Sequence, residues 1–245
     1  STDSYSLDST PPKVSTVSIT SATGAQRDTL NEGDVITATV TFDEDVTVTG
    51  IPQLALNVGG TTVQANYASG SGGKLLNFSY TVLANQNDAN GVGIDADALT
   101  LNSGSIKDAV GNAATLSHTA VSDNVSYMVD TTAPTATLTT GTGANTGDAV
   151  VQSSEAGTAY LVKTGVTITN VASITAAADT KWNSVAIATA STNTNLSLAG
   201  LEDGEYKLYT VDAAGNLSDP SEPKSYTLDA TANAPSLNLD ADSGS

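Results

Sequence analysis

Tyr127-Met128-Val129-Asp130-Thr131-Thr132-Ala133-Pro134 has two relatives in the same chain: Tyr5-Ser6-Leu7-Asp8-Ser9-Thr10-Pro11-Pro12 and Tyr226-Thr227-Leu228-Asp229-Ala230-Thr231-Ala232-Asn233-Ala234-Pro235. Each copy opens with a short alternating run, passes through an Asp and small polar residues, and closes on Pro. A period-2 run buries every second side chain, and Pro has no N–H to give a sheet, so the phrase reads as a last strand followed by a linker. The three Asp residues stand at 8, 130 and 229, spacings of 122 and 99. Units of that length are whole domains in tandem rather than turns of a solenoid. The expected organisation is therefore the end of a preceding repeat over 1–10, β-sandwich repeats over 11–130 and 131–229, and the start of another over 230–245.

Between these phrases the chain alternates and turns. In the first repeat, strands are expected over residues 14–20, 35–42, 53–58, 62–67, 75–83, 99–106 and 125–129. Gly59-Gly60-Thr61 marks a hairpin. In the second, they are expected near 135–138, 149–153, 158–162, 184–188, 195–198, 205–211 and 225–228, with a short helical turn over 171–178. About seven short strands per repeat, with turns every 8–15 residues, are the pattern of an immunoglobulin-like sandwich. The fold class expected is all-β: two tandem immunoglobulin-like domains end to end.

Composition narrows the chemistry. Hydrophobic residues make up 39% and aromatics only 4%, so the cores must be built from Val, Ile, Leu and Ala. The formal charge of −18 comes from 26 acids against 8 bases. Such a surface repels phosphate backbones and attracts cations, which removes nucleic acid as a partner. No apolar run reaches membrane-spanning length, and the start of the chain lacks the basic and apolar segments of a secretory signal. Cysteine is absent, so a secreted chain of this kind needs a stabilising device other than disulfides, and bound metal is the candidate.

Two loops match across the repeats: Asp108-Ala109-Val110-Gly111-Asn112 and Asp212-Ala213-Ala214-Gly215-Asn216. Either is readable as a plain turn, with Gly at positive φ and Asp and Asn bonding their own backbone. Topology adds a second reading. In a seven-strand sandwich the second strand ends at the pole that holds the loop before the last strand, and the chain enters at that pole. Asp8, Glu44 (or its neighbours Asp43 and Asp45), Asp108 and Asn112 are thus expected to converge in the first repeat. Asp130, Glu155, Asp212 and Asn216 are expected to do so in the second, and Asp229 opens the next linker. Gathered carboxylates with no adjacent Lys or Arg repel one another, and a hard divalent cation turns that repulsion into attraction. Calcium suits them, since it takes 6–8 oxygen ligands in flexible geometry. Zinc and copper are disfavoured in a chain with one His and no Cys. A further acidic loop, with Asp88, Asn90 and Asp95, is either an extra calcium site or a solvated turn.

The linker phrase, the Asp-x-x-Gly-Asn loops and Ser154-Glu155-Ala156-Gly157-Thr158 together resemble the bacterial immunoglobulin-like repeats of large calcium-dependent repeats-in-toxin adhesins. The resemblance covers both repeats. It implies modules stacked end to end with Ca2+ at the junctions, extending a stalk from the bacterial cell surface. It also implies neighbouring repeats of the same chain as partners, in a monomer outside the cell. The first repeat departs by its greater length and by offering three acids at 43–45.

No catalytic set is legible, so an enzyme is not expected. His118 sits in a polar stretch without a nucleophile to serve. Trp182 reads as a core residue before it reads as a ligand platform. Gly141, Gly143 and Gly147 lack dinucleotide-loop spacing, and Gly73-Lys74 lacks the Ser or Thr of a phosphate loop. The alternative to a structural role is a ligand-binding module for a glycan or surface protein.

Overall fold

The computed structural model describes residues 7–222 and 224–229. Tyr5, Ser6 and everything from Ala230 onward, including the start of a further repeat expected there, lie outside the described residues. The chain is all-β and divides into two compact units, Ser1–Thr132 and Ala133–Ser245.

The first unit contains β1 (Val14–Thr23), β2 (Thr29–Leu30), β3 (Val35–Thr49), β4 (Gln53–Val58), β5 (Thr61–Ser69), β6 (Gly73–Thr81), β7 (Asn87–Asp88), β8 (Leu99–Thr100), β9 (Ser105–Lys107) and β10 (Met128–Asp130). A seven-stranded sheet runs β1-β3-β6-β5-β4-β8 with β9 attached to β3, and a small sheet runs β2-β10-β7. Period-2 burial runs along β3, where Ile36, Ala38, Val40 and Phe42 are all at most 1% exposed, with Thr39 the one buried residue between them. Ile36, Ala38 and Val40 are register partners of Tyr80, Phe78 and Leu76 of β6, and the four share a core with Leu30 and Val129 of the small sheet. The two sheets thus close over one core, aliphatic apart from Phe42, Phe78 and Tyr80.

β3 does not stop at residue 42. Its register breaks between Thr41 and Val46, and Thr47–Thr49 then pairs with β9 instead of β6. The alternation resumes beyond the acids, with Val46 buried, so the strand continues. Residues 99–106, expected as one strand, are two: Asn102 (φ 43°) and Ser103 (φ 64°) turn the chain, and β8 and β9 pair with β4 and β3 respectively. Residues 125–127 form a single 3-10 turn capped by Asn124, ahead of β10.

The second unit contains β11 (Ala136–Leu138), β12 (Gly141–Gly143), β13 (Asp148–Ser153), β14 (Gly157–Lys163), α1 (Val171–Thr175), β15 (Trp182–Ile187), β16 (Thr194–Ser197), β17 (Gly204–Asp212) and β18 (Tyr226–Leu228). Its sheets run β11-β13-β16 and β12-β18-β17-β14-β15. Helix α1 carries a reciprocal cap between Asn170 and Ser173, which explains a helix in so short a segment. The core is aliphatic apart from Tyr206, whose ring is fully buried. Its hydroxyl donates to the Glu202 carbonyl four residues upstream at 2.6 Å. Burial pushes the Tyr206 hydroxyl up to about 12.

Candidate metal centre

The acids of β3 sit where the strand changes partners. A bulge of this kind re-aims side chains and breaks alternation. Asp43 is consumed locally: its Oδ1 accepts the Lys13 N–H at 2.8 Å, and its carbonyl accepts Lys74 Nζ at 2.7 Å. Asp45 is exposed. Glu44, half-buried, is the acid aimed at the cluster. It joins Asp8 and Asp108, and one carboxylate oxygen from each lies within 4.8 Å of the others.

Each partner is set in place by its own turn. Asp8 Oδ1 accepts the Thr10 N–H at 3.0 Å. Asp108 is nearly buried, and its Oδ1 accepts the N–H groups of Val110, Gly111 and Asn112 at 2.7–2.9 Å. Its Oδ2 accepts Asn112 Nδ2 at 2.7 Å, and the same amide points to the Asp8 carbonyl at 3.3 Å. Asn112, expected as a ligand, positions the aspartate and ties the linker to the loop through its amide nitrogen.

The charges read in the same direction. Burial first, then the carboxylates of Asp8, Asp108 and Asp43, hold Glu44 above its ordinary range, with Lys74 opposing weakly. Burial also works to raise Asp108, but the hydrogen bonds from Asn112, Gly111 and Val110 together outweigh it and hold its carboxyl below the usual range. The result is an anionic group with an exposed mouth at Asp8. Three hard oxygens meet there, and the group contains no cationic side chain. That donor set fits a hard divalent ion and does not fit a soft one.

The second unit repeats the parts. Asp212 Oδ1 accepts the Asn216 N–H at 2.9 Å, and its Oδ2 accepts Asn216 Nδ2 at 2.8 Å. Asn216, expected as a ligand, thus holds Asp212 through its amide nitrogen as Asn112 holds Asp108. Glu155 reaches Asp212 because Gly157 is the register partner of Asp212 on β14 and β17, and the two carboxylates come within 4.8 Å. Only glycine permits that approach: a Cβ on Gly157 would lie 1.9 Å from the Val211 carbonyl. Asp130 ends β10 in the first unit, where its Oδ1 accepts the Thr132 N–H at 3.0 Å, the turn seen at Asp8. Asp229 is exposed after β18, and its N–H donates to Gly143 at 3.0 Å.

The loop of Asp88, Asn90 and Asp95 is built otherwise. Asp88 is 4% exposed. Its Oδ1 accepts Asn90 and Gly91 N–H groups, and its Oδ2 accepts Gly59 N–H at 2.7 Å. Asn90 donates its amide to Asp123, and Asp95 is exposed. Among the described residues Asp88 and Asp95 belong to no group of three acids, and backbone N–H groups satisfy the buried Asp88 carboxylate.

Two features had no signal in the sequence. Thr131 and Thr132 are gripped by Gln86 and Asn87 through four hydrogen bonds of 2.8–3.0 Å, spanning 44 or 45 residues. His118 fastens an irregular segment: Nε2 accepts the Ala98 N–H at 3.0 Å and Nδ1 meets the Thr119 carbonyl at 2.8 Å. Trp182, expected in the core, lies outside it, half-buried and 6.0 Å from Tyr160 between ring centroids.

No helix among the described residues is long and apolar enough to cross a membrane. No protein-family model matches the chain, and no curated protein matches it. Among solved structures it is similar to dimeric latent PorU from Porphyromonas gingivalis, at 16% identity and a TM-score of 0.25. That match covers 90% of this chain and 20% of the other, so the chain spans about a fifth of the protein it resembles.

Proposed function

We propose that the chain is a pair of immunoglobulin-like extender modules from a secreted bacterial surface adhesin, with Ca2+ bound by the acids at the module junctions. The observation that carries this reading is the cluster of Asp8, Glu44 and Asp108, whose oxygens lie within 4.8 Å of one another. Two further features support it. Tyr206 bonds back to the backbone just upstream, as the tyrosine corner of immunoglobulin-like sandwiches does. Asp108 and Asp212 are held by the same Asn-donated geometry in the two units.

In this reading Glu155 and Asp212 are the second unit's own acids for a like ion, and Asp130 and Asp229 are the matching linker acids. In the first unit the linker acid Asp8 joins ligands from the module that follows it, so the ion restrains the chain where it enters that module. A cation that binds only the folded state raises stability by about 2.7 kcal/mol at roughly 100 times its dissociation constant. For a unit of this size that is several degrees of melting temperature.

The test is a calcium titration of melting temperature together with small-angle scattering in calcium and in chelator. The expected result is a calcium-dependent rise in melting temperature and a larger maximum dimension with calcium. Identical melting and scattering in both buffers would remove the proposal.

A further inference from the structure

Asn90-Gly91 is the only Asn-Gly dipeptide in the chain. Such a pair is chemically labile because an unbranched glycine leaves its amide nitrogen free to attack the preceding side chain. The glycine is obligatory here. Gly91 has φ +87°, and a Cβ on it would lie 1.9 Å from the Asn124 carbonyl. The fold therefore keeps a reactive dipeptide, and it does so on an exposed asparagine.

We infer that Asn90 is a spontaneous deamidation site whose rate is set by Asp88, through the hydrogen bond that holds the Gly91 amide. In the reaction the Gly91 nitrogen bonds to Cγ of Asn90, the Cγ–Nδ2 bond breaks, and ammonia leaves with the proton from Gly91. Water then opens the succinimide to aspartate or isoaspartate at position 90. The nucleophile must be freed and must lose its proton. In the folded chain the Gly91 N–H is bound to Asp88 Oδ1 at 2.9 Å, and a carboxylate acceptor makes that proton harder to remove. Asp88 is anchored in turn by the Gly59 N–H at 2.7 Å, so the amide is released only when this loop opens. The leaving amide donates to Asp123, and conversion replaces that donor with a second carboxylate facing Asp123. None of this depends on a bound metal.

The test is peptide mass mapping of the whole chain after incubation in mildly alkaline buffer, native and in concentrated urea, following the one-dalton gain and isoaspartate. In urea Asn90 is expected to convert fastest, ahead of the Asn-Ser pairs at Asn102 and Asn183. In the native chain its rate is expected to fall by about tenfold or more, as the opening equilibrium requires. Asp88→Asn, if its melting curve shows it folded, is expected to recover much of the unfolded rate. If that variant does not fold, hydrogen exchange at Gly91 in the unaltered chain takes its place, with protection expected to match the slowing of deamidation. Equal native and unfolded rates would overturn the inference. So would another asparagine converting first in urea, a folded Asp88→Asn with unchanged rate, or an unprotected Gly91 amide.

Discussion

Glu44 and Asp108 share one cluster, yet their carboxyls are pushed in opposite directions. Asp108 has backbone and amide donors that favour its charge, whereas Glu44 meets burial and three other acids. Without a cation Glu44 is the strained member, and with one it becomes a ligand. Glu44→Gln should therefore have effects of opposite sign in the two buffers. In chelator it is expected to raise the melting temperature, because it removes the disfavoured charge. In calcium it is expected to abolish most of the metal-dependent rise in the first unit. Melting curves of both proteins in both buffers check this, and a variant that is simply less stable in each would contradict the role assigned to Glu44.

At the scale of elements, each acidic group depends on a departure from regular strand geometry. β3 places Glu44 by breaking register as it passes from β6 to β9. β14 places Glu155 by beginning at Gly157, pressed against β17 beside Val211 and Asp212. Gly157→Ala would force these strands apart and should destabilise the second unit by roughly 2 kcal/mol or more. The measurement is urea unfolding of the whole chain, and a loss confined to the second unit is the expected outcome. Tyr206→Phe removes the hydroxyl bond to Glu202 but keeps the ring, and about 1 kcal/mol is the expected loss.

For the whole molecule, a charge of −18 on 245 residues makes pH and metal act together. Glu44 holds its proton more tightly folded than unfolded, so its ionisation opposes folding, and that penalty enters as pH rises from 4.5 through its raised value. Asp108 is the reverse: its contribution is present above 3.8 and is lost as pH falls through its lowered value. General repulsion among the acids adds to the Glu44 effect at higher pH. In chelator the chain is expected to be most stable on the acid side of neutrality, and calcium should move that optimum toward neutral pH. Melting temperatures from about pH 4 to about pH 8 in both buffers decide it. An optimum that calcium leaves in place would count against occupation of the clusters.

The all-β character was legible because alternate burial is a local property. Residues 35–42 and 205–211 show it without reference to anything distant. The candidate acids were legible because the linker phrase and the Asp-x-x-Gly-Asn loops recur. Two things depended on groups far apart in the chain. Which of the acids at 43–45 faces Asp8 and Asp108 was decided by the register break of β3 against β6. That Asp88 binds backbone and belongs to no acidic cluster was decided by Gly59, 29 residues away. Residue type sets what a side chain can bond, while tertiary structure decides which partner reaches it first.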